Sequence, residues 1–470
     1  MSTKRTLQPA AWSAKLLAAL GILATALPGQ QLVTHSGLTL RQAVADALKN
    51  YPSIRVSQEE INAAAAGIRL ARTAYLPHVD MVAQVNRATR NNVFGILLPQ
   101  SAIPSMSGPV LGTNNLGTAW GSAVGTLVSW EPFDFGARQA NVSAAAAVRT
   151  QQEATLKRTQ FDVAAAAADA YVTLIATEET VRAAQAGVDR AEVLARTIGA
   201  LVKAQVRPGA DESRSQAEVS AARTQLIQAQ QAVEVARANL SQFVGAVPAR
   251  ITTSAARLLE APPDGAATGP DLDANPLAQE QKTVVDHVRA QLKILERSYF
   301  PKFALQAAVY ARGTGAETNG TNLGGLNGLA PNFQNYALGF TVTFPLFDLP
   351  SIRAREAGQA ATLRAETARS QQIAVDLKAK WNVAVATLAG ARSAAANTPV
   401  QVAAAHAASD QAAARYRSGL GNIDDVAEAQ RLLTQAEIDD ALARLGVWRA
   451  LLGVAIAGGD LQPFLTEASQ

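Results

Sequence analysis

The sequence repeats itself, and this duplication restricts the possible folds more than any other feature. Two prolines stand 25 residues apart in each half of the chain, Pro52 and Pro77 in the first half, Pro276 and Pro301 in the second. In both halves a tyrosine lies two positions before the second proline. Landmarks that recur in the same order and spacing indicate two copies of one supersecondary unit.

Two further landmarks keep the same register. A Pro-Phe-Asp motif at Pro132 matches Pro-Leu-Phe-Asp at Pro345, and an aspartate follows 79 residues later at Asp211 and 80 residues later at Asp425. Helical spacing of apolar residues and alternation with period two then predict the elements of each repeat. Those of the first repeat, 27–264, are a helix 53–74, a hairpin 78–131, a long helix 138–203 and a return helix 212–244. Those of the second, 265–470, are a helix 277–299, a hairpin 302–344, a long helix 352–416, a return helix 425–457 and a C-terminal tail.

The N-terminal segment 1–26 has the features of a signal peptide. Three basic residues precede a short apolar stretch that ends in a small-x-small site at 24–26. A transmembrane anchor is the alternative, but the stretch is too short to span a bilayer. No other window has that length without charges, so we predict no transmembrane helix in the mature chain. Removing the segment lowers the formal net charge from +4 to +1, which argues against binding to nucleic acid.

The composition excludes several classes of protein. There is no cysteine, so a disulfide scaffold, thiolate metal sites and an N-terminal lipid on cysteine are ruled out. About one residue in five is alanine, the strongest helix former, which favours long and closely packed helices. We predict no metal site, no cofactor and no enzymatic activity. Neither a phosphate-binding glycine loop nor a nucleophile motif is present. The four histidines are scattered, without the spacing of metal ligands: His35, His78, His287 and His406.

The predicted strands have one apolar face and one polar or small face. An ordinary half-buried antiparallel sheet is one explanation of this pattern. Trp120 and Trp130, however, lie on one face and ten residues apart, which in a tilted strand corresponds to about 25 Å, the height of an outer-membrane apolar band. With Phe344 these tryptophans are the predicted aromatic rim. Four strands cannot close a barrel, so copies must combine, and two or three copies would give eight or twelve strands.

Each hairpin is followed by about 65 residues of helical pattern, which span roughly 98 Å if fully helical. The predicted fold is thus a membrane protein that contributes four strands to a shared barrel and continues as long helices. Local packing of such helices resembles a coiled coil, so a periplasmic adaptor or structural coiled-coil protein without a pore is an alternative. An envelope hydrolase is a third class, but no constellation of residues supports it.

The sequence resembles the TolC family of outer-membrane efflux and secretion channels from Leu38 to Gly459. The resemblance implies a trimer with a twelve-stranded outer-membrane barrel, an α-helical tunnel through the periplasm and a small mixed equatorial domain. It also implies a passive exit duct of a tripartite system, docked to a periplasmic adaptor and an inner-membrane transporter, whose cargo the sequence does not specify. The motifs that carry it are Leu-Thr-Leu-Arg-Gln-Ala at 38–43, Ala-Leu-Lys-Asn-Tyr-Pro at 47–52, Tyr-Leu-Pro at 75–77, Phe-Pro-Leu-Phe-Asp at 344–348, Tyr-Arg-Ser-Gly-Leu at 416–420 and Asp-Asp-Val-Ala-Glu-Ala-Gln at 424–430.

The resemblance also implies a periplasmic gate at the two helix turns. Asp425 and Glu428 would form the pore constriction, and Tyr416 would donate a hydrogen bond toward Asp211. The family arginine two residues after the turn glycine is replaced by Gly421, and Arg417 and Arg207 are alternative substitutes. Asp211 and Asp425 have a second explanation as N-terminal helix caps. The adaptor would dock on the turn residues Gln205, Val206, Arg207, Arg417, Ser418, Gly419 and Leu420.

Overall fold

The computed structural model describes residues 37–89, 117–254, 256–260, 269, 271–317 and 321–469. The predicted signal peptide lies outside these residues, as does almost all of the first predicted hairpin loop, 91–117. The described chain consists of two similar halves, each with a helix, a β-hairpin, a long helix and a returning helix.

The first half begins with a short helix that the sequence pattern did not indicate, α1 (Leu40–Asn50). Thr39 and Gln42 start it with a capping box, in which each side chain bonds the other residue's backbone N–H. The elements that follow are α2 (Pro52–Thr73), β1 (His78–Thr89), β2 (Thr118–Trp130), α3 (Ala137–Lys203) and α4 (Gly209–Val244).

The second half has the same order and ends in a short additional helix. Asn275 caps its first helix and donates from its side chain to Ala457 O, as Asn50 does to Val244 O in the first half. The elements are α5 (Pro276–Arg297), β3 (Lys302–Thr314), β4 (Phe333–Thr343), α6 (Leu349–Arg417), α7 (Ile423–Gly458) and α8 (Gln462–Glu467).

Several boundaries differ from the predicted ones. The returning helices start before 212 and 425, because their N-cap residues are Pro208 and Asn422. The long helix α6 starts three residues early, with Pro350 in its first turn, where a missing N–H has no cost. Strand β4 begins at Phe333 and ends one residue before the predicted end of the hairpin at 344. The predicted rim residue Phe344 therefore lies just outside the strand.

The four strands form one antiparallel sheet in the order β1-β2-β3-β4. The central pairing of β2 with β3 joins the two repeats, and Gly125 stands opposite Tyr310 there. The outer strands β1 and β4 each have one neighbour among the described residues. The sheet is therefore open at both edges within a single chain.

One face of this sheet is apolar and exposed. The register places the apolar residues of all four strands side by side on that face. Exposure reaches 86% at Tyr336 and 85% at Met81, so nothing in the described part of the chain covers this face. The exposed apolar members are Val79, Met81, Val85, Val124, Trp130, Leu305, Val309, Tyr336, Leu338, Phe340 and Val342.

The helices form a layer in which the two long helices alternate with end-to-end pairs of shorter ones. On one side, α3 contacts α2 along one half of its length and α4 along the other. On its opposite side α3 contacts α5 and α7, which also pack against α6. The turns α3–α4 and α6–α7 therefore lie at the end of the layer opposite the sheet.

The largest apolar core lies at mid-length, where α1 and α8 pack onto the layer. Tyr171 of α3 is fully buried there, and its hydroxyl lies 2.8 Å from Leu38 O and 2.9 Å from Ser254 O. Leu38 also forms a parallel bridge with Thr253. The segments joined by these contacts form the small mixed equatorial domain. The predicted fold class is confirmed.

Among the described residues, one helix is long and apolar enough by composition to cross a membrane: α7. From the sequence we predict no such segment in the mature chain. Several of its large side chains are core residues, with Trp448 fully buried and Leu452 1% exposed. Trp448 also donates its indole N–H to Glu260 O at 3.1 Å. Packing inside the protein thus explains part of the apolar character of α7.

Candidate functional site

The two helix turns at the far end of the layer have the same backbone conformation. Gln205 and Gly419 occupy equivalent positions and both have positive φ, 60° and 79°. In each turn the next residue donates its N–H back to the long helix, Val206 to Leu201 O and Leu420 to Arg415 O, each at 2.9 Å. Pro208 and Gly209 follow a few residues later, but the reversal occurs at Gln205, a non-glycine residue in a left-handed conformation.

The tips of these turns expose apolar side chains. Val206 is 66% exposed and Leu420 is 74% exposed. Six of the seven predicted docking residues are exposed, and the seventh, Arg207, is half-buried. The turns themselves are anchored by a small apolar core made of Ile198, Tyr416, Ile423 and Val426.

A hydrogen bond joins the two turns. The buried hydroxyl of Tyr416, at the end of α6, donates to Asp211 Oδ2 in the first turn of α4 at 2.7 Å. Burial, followed by this hydrogen bond and the charge of Asp211, raises the pKa of Tyr416 to about 12. The protonated phenol therefore contributes its full share to folding stability below its unfolded-state pKa of 10.0. This share is lost only as the pH rises through the folded-state pKa of about 12.

Arg207 completes this contact. Its guanidinium lies over the Tyr416 ring, 4.2 Å from the centroid, and also donates to Tyr416 O. Arg417 instead donates to Ala413 O of its own helix. Counted from the positive-φ residue, Arg207 occupies the position in the first turn that Gly421 has in the second. Aligning the two repeats would therefore have favoured Arg207 over Arg417 as the substitute for the missing arginine.

Asp211 and Asp425 have different partners although both occupy the third position of a helix. The N-cap of α4 is Pro208, and Asp211 accepts from Tyr416 across the turns. Asp425 belongs to a capping box, because Asn422 Oδ1 accepts from Asp425 N at 2.8 Å and Asp425 Oδ2 lies 3.5 Å from Asn422 N. The cap explanation is therefore wrong for Asp211 and describes part of the geometry of Asp425. Both Asp425 and Glu428 are exposed.

The predicted aromatic rim residues lie near the two ends of the sheet. Trp130 is 39% exposed and donates its indole N–H to Tyr75 O at 3.1 Å, while Trp120, at the other end of β2, stacks with Arg87 at 5.2 Å. Phe344 is 50% exposed. No sequence pattern predicted the cluster of aromatic rings where the sheet meets the helices, whose centroids lie 4.8 to 6.2 Å apart: Phe133, Phe135, Phe300 and Phe303.

The described residues contain no group of three or more His, Cys, Asp or Glu side chains that could hold a metal ion. The chain combines a four-stranded sheet that has an exposed apolar face with long helical hairpins. The model of the outer membrane efflux protein family matches residues 43–246 and 272–459, most of the chain. The chain belongs to this family, and it is located in the outer membrane and extends into the periplasm.

Solved structures show the same fold. VceC of Vibrio cholerae is 16% identical over 90% of this chain and 96% of its own, with a TM-score of 0.70. CmeC of Campylobacter jejuni is 15% identical over 92% and 89%, with a TM-score of 0.71. The open state of MtrE from Neisseria gonorrhoeae is 19% identical over 90% and 89%, with a TM-score of 0.68. Sequence comparison with curated proteins gives no significant match.

Proposed function

We propose that this protein is the passive outer-membrane exit duct of a tripartite efflux or secretion system. The observation that carries the proposal is the sheet with an exposed apolar face on one side. In lipid that face needs no protein partner, and the long helices then extend from the sheet into the periplasm. The duct performs no chemistry, so the energy for transport comes from an inner-membrane transporter.

The assembly that fits the sheet is a homotrimer. An unpaired strand edge exposes backbone N–H and C=O groups, which is too costly in lipid, and here β1 and β4 both have such an edge. Closure therefore pairs β4 of one copy with β1 of the next. Three copies give twelve strands, the number that the resemblance to the TolC family implies.

Fractionation of cells tests this function directly. We expect a trimer that resists heating in detergent and that is recovered with outer-membrane lipid. Purified protein should also produce ion currents in planar bilayers. A monomer recovered in the soluble periplasmic fraction would support the coiled-coil alternative and contradict the duct.

The two turns are the proposed end of the duct that meets the periplasmic adaptor. Val206 and Leu420 give each protomer two apolar tips, and a trimer would present six such tips in a ring. The hydrogen bond from Tyr416 to Asp211 holds the two turns together, so it acts as a latch in the closed state. Docking of the adaptor onto the tips would separate the turns and open the duct.

Asp425 and Glu428 are the proposed constriction of the closed end. Both acids are exposed on α7 one helical turn apart, and three copies would form two acidic rings. Replacing both by alanine is expected to raise single-channel conductance. It should also weaken block by multivalent cations by about tenfold, the equivalent of one lost charge-assisted contact.

The matched control removes two exposed acids that lie far from the turns, Asp376→Ala in α6 with Glu60→Ala in α2. This variant should conduct like the wild type, since these residues are distant from the constriction. Unchanged conductance and unchanged cation block in the Asp425→Ala, Glu428→Ala protein would contradict the assignment of the constriction.

A further inference from the structure

A chain of five alternating charges connects the returning helices of the two repeats close to the turns. Arg214 of α4 lies 3.3 Å from Asp424 of α7, and Arg431 of α7 lies 3.5 Å from Glu218 of α4. Within each helix, Arg214 also contacts Glu218 at 3.3 Å, and Arg431 contacts Glu428 at 3.3 Å. The order is Asp424, Arg214, Glu218, Arg431, Glu428, and we call these five residues the charge ladder.

The position of the ladder gives it a specific mechanical effect. Helix α4 carries Asp211, the acceptor of the latch, and α7 carries the proposed constriction. The two helices lie on either side of α3, and beside Glu218 and Arg431 they border a groove of about 210 Å³ whose floor includes Gly187 of α3. The ladder bridges this gap, so it contributes directly to the distance of α7 from α4.

Each arginine of the ladder has two kinds of partner. One pair of contacts crosses between the helices and the other lies within one helix. If α7 moves away from α4, Arg214 keeps Glu218 and Arg431 keeps Glu428, so every arginine retains a partner. Glu218 is the least exposed member, at 19%, and accepts from both arginines through different carboxylate oxygens. The cross-helix contacts can therefore break and re-form without leaving an isolated buried charge.

We propose that the charge ladder is a second, reversible latch of the closed duct, and that Arg214, Glu218 and Arg431 are positioning residues for the constriction. The proposal rests on the duct function proposed above. It differs from the Tyr416 latch in chemistry: the Tyr416 contact is buried and retains its strength in salt, whereas the ladder is largely exposed and is screened as ionic strength rises.

The test measures open probability of the reconstituted protein in planar bilayers. Arg431→Gln is expected to raise open probability by about two- to tenfold at low salt, the range expected for exposed ion pairs present in several copies. Glu218→Gln should raise open probability similarly. The increase in the Arg431→Gln, Glu218→Gln protein should equal the larger of the two single increases rather than their sum. High salt should bring the wild type toward the variants.

The matched control is Arg223→Gln. Like Arg431, Arg223 is an exposed arginine that pairs with an acid on another helix. It lies on α4, however, and its partner is Glu192 of α3, at 2.7 Å. The control therefore changes the charge equally without affecting α7, and it should behave like the wild type. Equal open probabilities for Arg431→Gln and Arg223→Gln, or additive effects in the double variant, would overturn the ladder.

A covalent substitute provides a second test, because the chain has no cysteine of its own. In the Arg214→Cys, Asp424→Cys protein a short bismaleimide should restore low open probability without the Arg214–Asp424 pair. An unchanged open probability after complete cross-linking would contradict the role of α4–α7 separation. Tyr416→Phe separates the two proposals: if it opens the channel while the ladder variants have no effect, only the ladder fails. If no protein conducts, the duct and the ladder fail together.

Discussion

Replacing Tyr416 by phenylalanine and Arg207 by alanine together is expected to produce a duct that is predominantly open. The first change removes the 2.7 Å hydrogen bond to Asp211, and the second removes the guanidinium that lies over the same ring. Hydrogen bonds to charged groups contribute about 1.5–3 kcal/mol each, so open probability should rise about tenfold or more. Single-channel recording of the purified protein in planar bilayers measures this directly.

Two control variants separate the latch from general damage to the turn. Arg417→Ala removes an exposed arginine from the same end of α6, but the hydrogen bond of Arg417 goes to Ala413 O of its own helix. Tyr75→Phe removes a tyrosine hydroxyl near the sheet, where it bonds Gln139. Both should remain as closed as the wild type. If the Tyr416 and Arg207 double variant is also closed, the turns are held by other contacts.

Replacing Gly125 by alanine is expected to prevent the protein from folding in the outer membrane. A β-carbon at Gly125 would lie 2.6 Å from both Tyr310 Cα and Val309 O, far inside van der Waals distance of rigid backbone. Strands β2 and β3 would have to separate, and this pairing joins the two repeats. We expect loss of nearly all heat-resistant protein from outer-membrane fractions, assayed on unheated gels.

Gly339 in β4 provides the matched control. A β-carbon there meets only Gln306 Oε1, at the ordinary distance of 3.9 Å. Gly339→Ala should therefore accumulate in the outer membrane at the level of the wild type. Normal assembly of the Gly125→Ala protein would show that the close approach of β2 and β3 is not required.

Much of the fold was predictable because the sequence is duplicated. Pro77 and Pro301 mark the change from helix to strand in both halves, and the period-two pattern of the strands gave the apolar face. Details at single positions, such as the first residue of a strand, were harder to predict. The start of β4 at Phe333 follows from its pairing with Arg312 in β3, and no local pattern encodes that register.

The site was predictable in part. The contact between Tyr416 and Asp211 was expected from the resemblance, and the structure places these two side chains together. The positive φ of Gln205 has no sequence signal, because glutamine rarely adopts that conformation and the neighbouring Pro208 and Gly209 were the more obvious site for a bend. The charge ladder also escaped prediction, since ion pairs between two helices depend on how those helices are placed.

One measurement tests the gated duct most directly. In an Asp425→Cys protein, which has a single cysteine, charged thiosulfonate reagents can be added during single-channel recording. If Asp425 lines the constriction, an anionic reagent should shift the reversal potential toward cation selectivity and a cationic reagent toward anion selectivity. Ser418→Cys, at the exposed C-terminal end of α6, should show neither shift. Complete labelling of Asp425→Cys with no change in current or reversal potential would contradict a duct whose narrowest point lies at the periplasmic turns.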